Sequence, residues 1–153
     1  ELKPRKVLPL LLKQYSNRWY LISFDSDKRD YITYALDRIE DLEILKETMV
    51  RPEGFNPDNY FKHAIGITSG NTMPEDVILS VGPIAAKYLD SLPFHNTQKL
   101  IELNDDFALF SLKVNVSEEL IRAILSYGGD IKVQQPISLK QEIESRARKI
   151  LEN

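Results

Sequence analysis

Four short runs rich in aliphatic, aromatic or β-branched residues crowd into the first 48 positions, at 7–12, 19–25, 31–36 and 42–48. The gaps between them hold Asn, Asp, Ser or Lys, which favour turns, so the runs read as strands. Four strands this short and this close together predict a small β-barrel. Asp25-Ser26-Asp27-Lys28 supplies the polar turn of a hairpin. On either side of it, Asn17-Arg18-Trp19-Tyr20-Leu21-Ile22-Ser23-Phe24-Asp25 and Tyr34-Ala35-Leu36-Asp37-Arg38-Ile39 each set an arginine beside aromatic residues. Period-two alternation divides the first of these into Trp19, Leu21, Ser23 and Asp25 on one face and Arg18, Tyr20, Ile22 and Phe24 on the other. Both faces are mixed. Size favours burial of Trp19 and Leu21, whereas the amphipathic ring of Tyr20 suits either packing or a ligand.

Beyond the hairpin, Asn56 can cap a short helix that begins at Pro57, with Tyr60, Phe61 and Ala64 as its apolar side. Ser69-Gly70-Asn71-Thr72-Met73-Pro74-Glu75 combines turn formers with little to bury and reads as a linker. A second unit follows. Residues 77–81 predict a strand, 83–92 a helix, 98–103 a strand, and 107–116 another after the Asn104-Asp105-Asp106 turn. Ser117 then caps a helix carrying Glu118 and Glu119 in its first turn and stopped by Gly128-Gly129, and 131–135 give a last strand. The order β-α-β-β-α-β is the split ferredoxin-like arrangement, so the fold class is α+β. A terminal helix over 139–152 has Ser138 and Gln141 in capping-box spacing and an apolar stripe of Leu139, Ile143, Ala147, Ile150 and Leu151. That stripe must cover either its own sheet or a partner subunit.

With 153 residues, 42% hydrophobic and 28% charged, the chain suffices for one ordinary domain or two small ones. Cysteine is absent, which excludes disulfides and cysteine-ligated metals and fits a reducing compartment. No apolar run reaches the roughly 20 residues that cross a bilayer, and no signal-peptide pattern opens the chain, so a cytoplasmic protein is expected. A net charge of −3 argues against a generally basic nucleic-acid binder. The charge is nonetheless uneven. Residues 1–24 hold Lys3, Arg5, Lys6, Lys13 and Arg18 against Glu1, a balance of +4, which leaves −7 for the remainder. Either an anion site or a solvated chain end accounts for that basic stretch.

Other chemistry is thin. His63 and His95 have no neighbouring ligands at metal spacing and read as surface or packing residues. Asp25, Asp27 and Asp30 lack the glycine of an EF-hand turn. A P-loop, a nucleophile elbow and a Ser-His-Asp set are all missing, so neither catalysis nor a metal or other cofactor is expected.

Trp19-Tyr20-Leu21, preceded by Pro9-Leu10 and followed by Leu36-Asp37-Arg38-Ile39, Phe55-Asn56-Pro57-Asp58-Asn59-Tyr60-Phe61 and Ala64-Ile65-Gly66-Ile67, resembles the WYL domains of bacterial transcriptional regulators. The resemblance covers roughly residues 4–70. It implies an Sm-like barrel over residues 1–70 and, over 76–153, the ferredoxin-like C-terminal extension common in that family. It also implies a sensor whose basic pocket takes a nucleic-acid fragment, a nucleotide or a related anion, with Tyr20 and Arg38 as the leading contacts and Arg18, Ser23, Arg5 and Lys13 behind them. Arginine suits such a ligand because its planar guanidinium forks onto phosphate and stacks on bases. Two positions depart from the family pattern: Ala35 stands where many members have arginine, and Leu8 where a histidine often precedes the proline. The family's first strand is normally complete before Lys3-Pro4-Arg5, which implies a barrel short of one strand. Operator DNA would be reached only through a missing N-terminal helix-turn-helix, and the expected assembly is a homodimer without membrane contact. The competing expectation is a protein interaction module that takes no small ligand.

Overall fold

A computed structural model describes residues 3–69 and 73–152. Their fold is α+β, with a three-stranded and a four-stranded antiparallel sheet. The described chain divides into two compact units, the first reaching Phe61 and the second starting at Lys62.

In the first unit, β1 (Leu8–Tyr15), β2 (Arg18–Asp25) and β3 (Asp30–Ala35) pair in sequence order. Ser16 and Asn17 join β1 to β2 with φ of 50° and 61°. Two successive positive φ values make the primed turn whose twist matches that of the strands, and the turn fixes the register with Tyr15 opposite Arg18. On edge strand β1 the pairing slips between Pro9 and Leu11, and an edge or a bulge is where a strand tolerates proline. At the far end Asp25, itself buried, accepts hydrogen bonds from the backbone N–H groups of Asp27 and Lys28, which closes the β2–β3 connection. The next turn, Leu36–Arg38, is a 3-10 helix.

The strand expected over residues 42–48 is irregular chain. Leu42 and Ile44 stand 79% and 93% exposed, and no neighbouring strand offers them a ladder. Among the described residues the first unit therefore has three strands and no closed barrel. Asn56 caps α1 (Pro57–Tyr60) as expected, accepting from the Asn59 N–H at 3.1 Å. Phe24, Tyr31, Phe55, Tyr60 and Phe61 form a cluster of tilted and edge-to-face ring pairs with centroids 4.8–5.6 Å apart.

The second unit follows the expected order: β4 (Glu75–Val81), α2 (Pro83–Ser91), β5 (Lys99–Leu103), β6 (Ala108–Val114), α3 (Glu118–Leu125), β7 (Ile131–Gln135) and α4 (Ile137–Leu151). The strands lie in the order β5-β6-β4-β7, all antiparallel, which is the ferredoxin-like sheet. Val77, Leu79, Val81, Phe110, Leu112 and Val114 project from one face of the sheet. There they join Ala85, Ala86 and Leu89 of α2 and Leu120, Ile121 and Ile124 of α3 in one buried core.

Ser117 caps α3 by accepting from the Leu120 N–H. The helix ends at Leu125, before the glycines expected to stop it. Gly128 takes a positive φ of 59° and starts a second 3-10 turn, Gly128–Asp130. The expected cap of α4 is replaced by Pro136, so Ser138 falls inside the first turn and makes no cap bond. Leu139 seals the core and Ile143 packs against it, so α4 covers its own sheet, while Ile150 and Leu151 remain exposed. Of the expected linker, Gly70, Asn71 and Thr72 lie outside the described residues and Glu75 already belongs to β4.

Candidate ligand-binding site

The central strand β2 decides which side chains can meet. Its pairing sets Tyr20 between Lys13 of β1 and Ala35 of β3, and opposed residues of an antiparallel pair share a face. Arg18, two residues before Tyr20, is on that face as well. Tyr20 and Lys13 are half-buried. The Lys13 ammonium lies 4.4 Å from the centroid of the Phe61 ring, where the electron-rich face holds a cation. The exposed guanidinium of Arg18 stands 3.4 Å from the Asp37 carboxylate, an ion pair that water and salt weaken.

Arg38 ends the 3-10 turn that follows β3, and its side chain is exposed. Its sequence neighbour Asp37 is turned to Arg18, and among the described residues Arg38 has no ion pair. It is thus an exposed cation in the short turn that follows β3. Three of the expected contacts, Lys13, Arg18 and Tyr20, therefore share one face, with Arg38 in the adjoining turn.

Ser23 and Arg5 are not part of that group. Ser23 is on the opposite face of β2, fully buried, and its hydroxyl donates to the Ile32 carbonyl directly across the ladder at 3.2 Å. Its donor is committed to the fold. Arg5 is exposed and acts on Tyr34, which faces the same side as Leu21 and Ser23. Burial pushes the Tyr34 hydroxyl above the ordinary phenol value, the negative Asp25 raises it further, and Arg5 pulls it down. Trp19, expected in the core, is 50% exposed on this second face, and Leu12 beside it is 54% exposed. With three strands and no closed barrel among the described residues, that face is left open at their end of the sheet.

Sequence reasoning missed two features. The aromatic cluster around Tyr31 was visible only as separate residues in a hairpin and a later motif. His63 and His95 stand 32 positions apart and stack with centroids 6.4 Å apart. No periodicity relates a loop to a distant connecting segment, so no local signal could have found that pair. Among the described residues, no group of three or more His, Asp or Glu could hold a metal ion, and no helix is long and apolar enough to cross a membrane.

A family model described as the WYL domain matches residues 1–44, and one described as the WCX domain matches residues 73–151. No curated protein matches the chain. Among solved structures it is similar to proteasome accessory factor B/C (PafBC) of Arthrobacter aurescens, at 18% identity and a TM-score of 0.38, over 91% of this chain and 21% of that one. The chain thus spans about a fifth of the length of that structure. The WYL match takes in the three strands and the turn that carry Lys13, Arg18, Tyr20 and Arg38, the WCX match takes in the whole four-stranded sheet and just over half of the sequence, and the chain belongs to the WCX-domain family with a WYL domain ahead of that domain.

Proposed function

We propose that this chain is the effector-sensing part of a WYL-type transcriptional regulator. Lys13, Arg18, Tyr20 and Arg38 take an anionic ligand of the single-stranded nucleic-acid or nucleotide class. The observation that carries the reading is the face of β2 on which two cations flank a tyrosine, with Arg38, which has no ion pair among the described residues, in the next turn. Charge beside a stacking ring is what such ligands need: guanidinium and ammonium groups hold phosphate, and the aromatic face accepts a base. Neither the ring nor the cations form a constellation for bond breaking, and the role is binding rather than catalysis. A ligand that prefers one arrangement of a homodimer would bias the spacing of DNA-binding domains carried N-terminal to this chain, in a cytoplasmic regulator.

One observation favours a second reading, an interaction module without a small ligand. Trp19 and Leu12 leave large apolar surfaces in water on the other face of the sheet, as protein-binding patches do. Titration with labelled single-stranded DNA oligonucleotides and a nucleotide panel, at about 50 and about 200 mM salt, separates the two, since phosphate contacts weaken as counterions compete. Saturable, salt-sensitive binding that Arg38→Ala removes while the fold persists establishes the sensor. Silence across the panel, or binding indifferent to Arg38, gives the interaction module the stronger case.

A further inference from the structure

Residues 62–68 open the second unit and are hydrogen-bonded to its strand β6, to Asn115 after it and to Glu119 of α3. The His63 carbonyl accepts from the Asn115 N–H at 2.8 Å, and the His63 ring Nδ1 stands 3.1 Å from the Lys113 carbonyl. Ile65 enters the hydrophobic core. The far end is fastened where the Thr68 N–H and hydroxyl both donate to Glu119 Oε1.

The near end depends on His95. Beyond the last β5–β6 pair, Lys99 with Ser111, the Thr97 hydroxyl takes over the ladder by accepting from the Lys113 N–H at 3.0 Å. His95 buttresses Thr97: its Nδ1 accepts from the Thr97 N–H at 3.2 Å and stands 2.8 Å from the Thr97 hydroxyl. The same ring hydrogen-bonds to the Lys62 backbone, and its face stacks on His63. In the neutral ring a bare Nδ1 accepts from the Thr97 N–H, while the Thr97 hydroxyl beside it donates to the Lys113 carbonyl at 3.2 Å.

We propose that residues 62–68 form a clasp that stays closed on the rest of the second unit while His95 is neutral, and that protonation of His95 opens it. A proton on His95 Nδ1 would turn to the Thr97 hydroxyl oxygen, leave the Thr97 N–H without its acceptor and place a cation against the ring of His63. The charged groups of the surrounding elements do not offset it. Lys62 on the clasp and Lys113 on β6 are both cations, the loop of residues 93–98 carries no charge besides His95, and Asp76 of β4 is the cross-strand partner of Lys113. Burial first, and His63 second, push His95 below its ordinary value of 6.5. A lowered histidine value means that closure is complete above about pH 6.5 and is lost as the pH falls from there through the value in the closed state.

The test is amide hydrogen exchange by NMR on this chain at pH 7.5 and 5.5, corrected for intrinsic rates, with His95→Gln alongside. Protection of the Asn115 and Thr97 amides should fall at least tenfold at the lower pH while that of Leu79 and Phe110 in the core is unchanged. His95→Gln, which keeps a donor and an acceptor but does not titrate, should flatten the response. Equal protection at both pH values, or an unaltered pH response in His95→Gln, overturns the clasp. Should that variant fail to fold, the side-chain titration of His95 in the unaltered chain decides the matter, and a midpoint at or above 6.5 refutes the proposal.

Discussion

Arg146 of α4 grips Glu118 in the first turn of α3 with both of its terminal nitrogens, Nη1 to Oε1 at 2.7 Å and Nη2 to Oε2 at 2.8 Å. The same guanidinium donates through Nε to Glu142 at 2.7 Å, and Arg122 adds a bond to Glu118 at 3.0 Å. A fork meeting a carboxylate in two parallel bonds is the strongest geometry that such a pair has, and here it joins helices 28 positions apart. Glu118 thereby serves twice, since a carboxylate in the first turn also suits the positive end of α3.

This arrangement predicts an acid-sensitive contact between the helices. Bonds from Arg146, reinforced by Arg122, hold the Glu118 carboxyl at about 2, and the carboxylates in turn raise Arg146. A depressed carboxyl contributes stability above its ordinary value near 4.5, and that stability disappears as the pH falls through about 2. Because the groups are partly exposed, salt should weaken the contact as well. Melting curves at pH 6 and pH 3 should show a smaller acid-induced drop for Glu118→Gln than for the unaltered chain. An equal drop in both would remove Glu118 from the account.

The β1–β2 turn predicts a different sensitivity. Asn17 has a φ of 61°, a left-handed conformation that asparagine tolerates, glycine favours and β-branched residues resist. Asn17→Gly should leave stability within about 0.5 kcal/mol, whereas Asn17→Val should cost about 1–2 kcal/mol in urea unfolding, the penalty for a side chain forced into that region. Equal stability of the two variants would mean that this turn does not set the register that brings Lys13 opposite Tyr20.

Core burial predicts the largest loss. Leu79 lies on the central strand β4, fully buried and flanked by Phe110 of β6 and Val133 of β7. Leu79→Ala should destabilise the second unit by about 2–5 kcal/mol, because neighbours on both sides are fixed by the ladder and cannot collapse into the gap. Denaturant midpoints check this directly.

The second unit was the more legible of the two because its signals are local and its core is its own. Alternation at Val77, Leu79 and Val81 and the Ser117 cap need only neighbouring residues and were realised, and the helical stripe was realised at Leu139 and Ile143 but not at Ala147, Ile150 and Leu151, which are exposed. Leu42, Ile44 and Leu45 have strand composition as well, yet a strand exists only with a partner, and residues 42–48 have none to pair with. The faces of β2 were readable from period two, but their assignment was not. Trp19 would have been buried in a closed barrel, and with three strands it stays half in water. Charges likewise pair beyond their sequence neighbours: Asp37 stands next to Arg38 in the chain, yet its carboxylate reaches Arg18 on β2.

The two faces of β2 finally give the proposed site a discriminating pair of substitutions. Lys13 and Ser23 were both candidate contacts, yet Lys13 shares the face of Tyr20 and Ser23 is sealed on the other, with its hydroxyl bonded to Ile32. Lys13→Ala should weaken binding of a single-stranded oligonucleotide roughly tenfold and lower the salt slope by about one counterion, because it removes one phosphate contact. Ser23→Ala should leave affinity unchanged and cost about 0.5–1.5 kcal/mol of stability through the lost cross-strand bond. Fluorescence anisotropy at two salt concentrations, together with urea unfolding, reads both quantities. If Ser23→Ala reduced affinity while Lys13→Ala did not, the ligand would lie on the face of Trp19, Leu21 and Tyr34, and Arg5 would replace Lys13 as its cation.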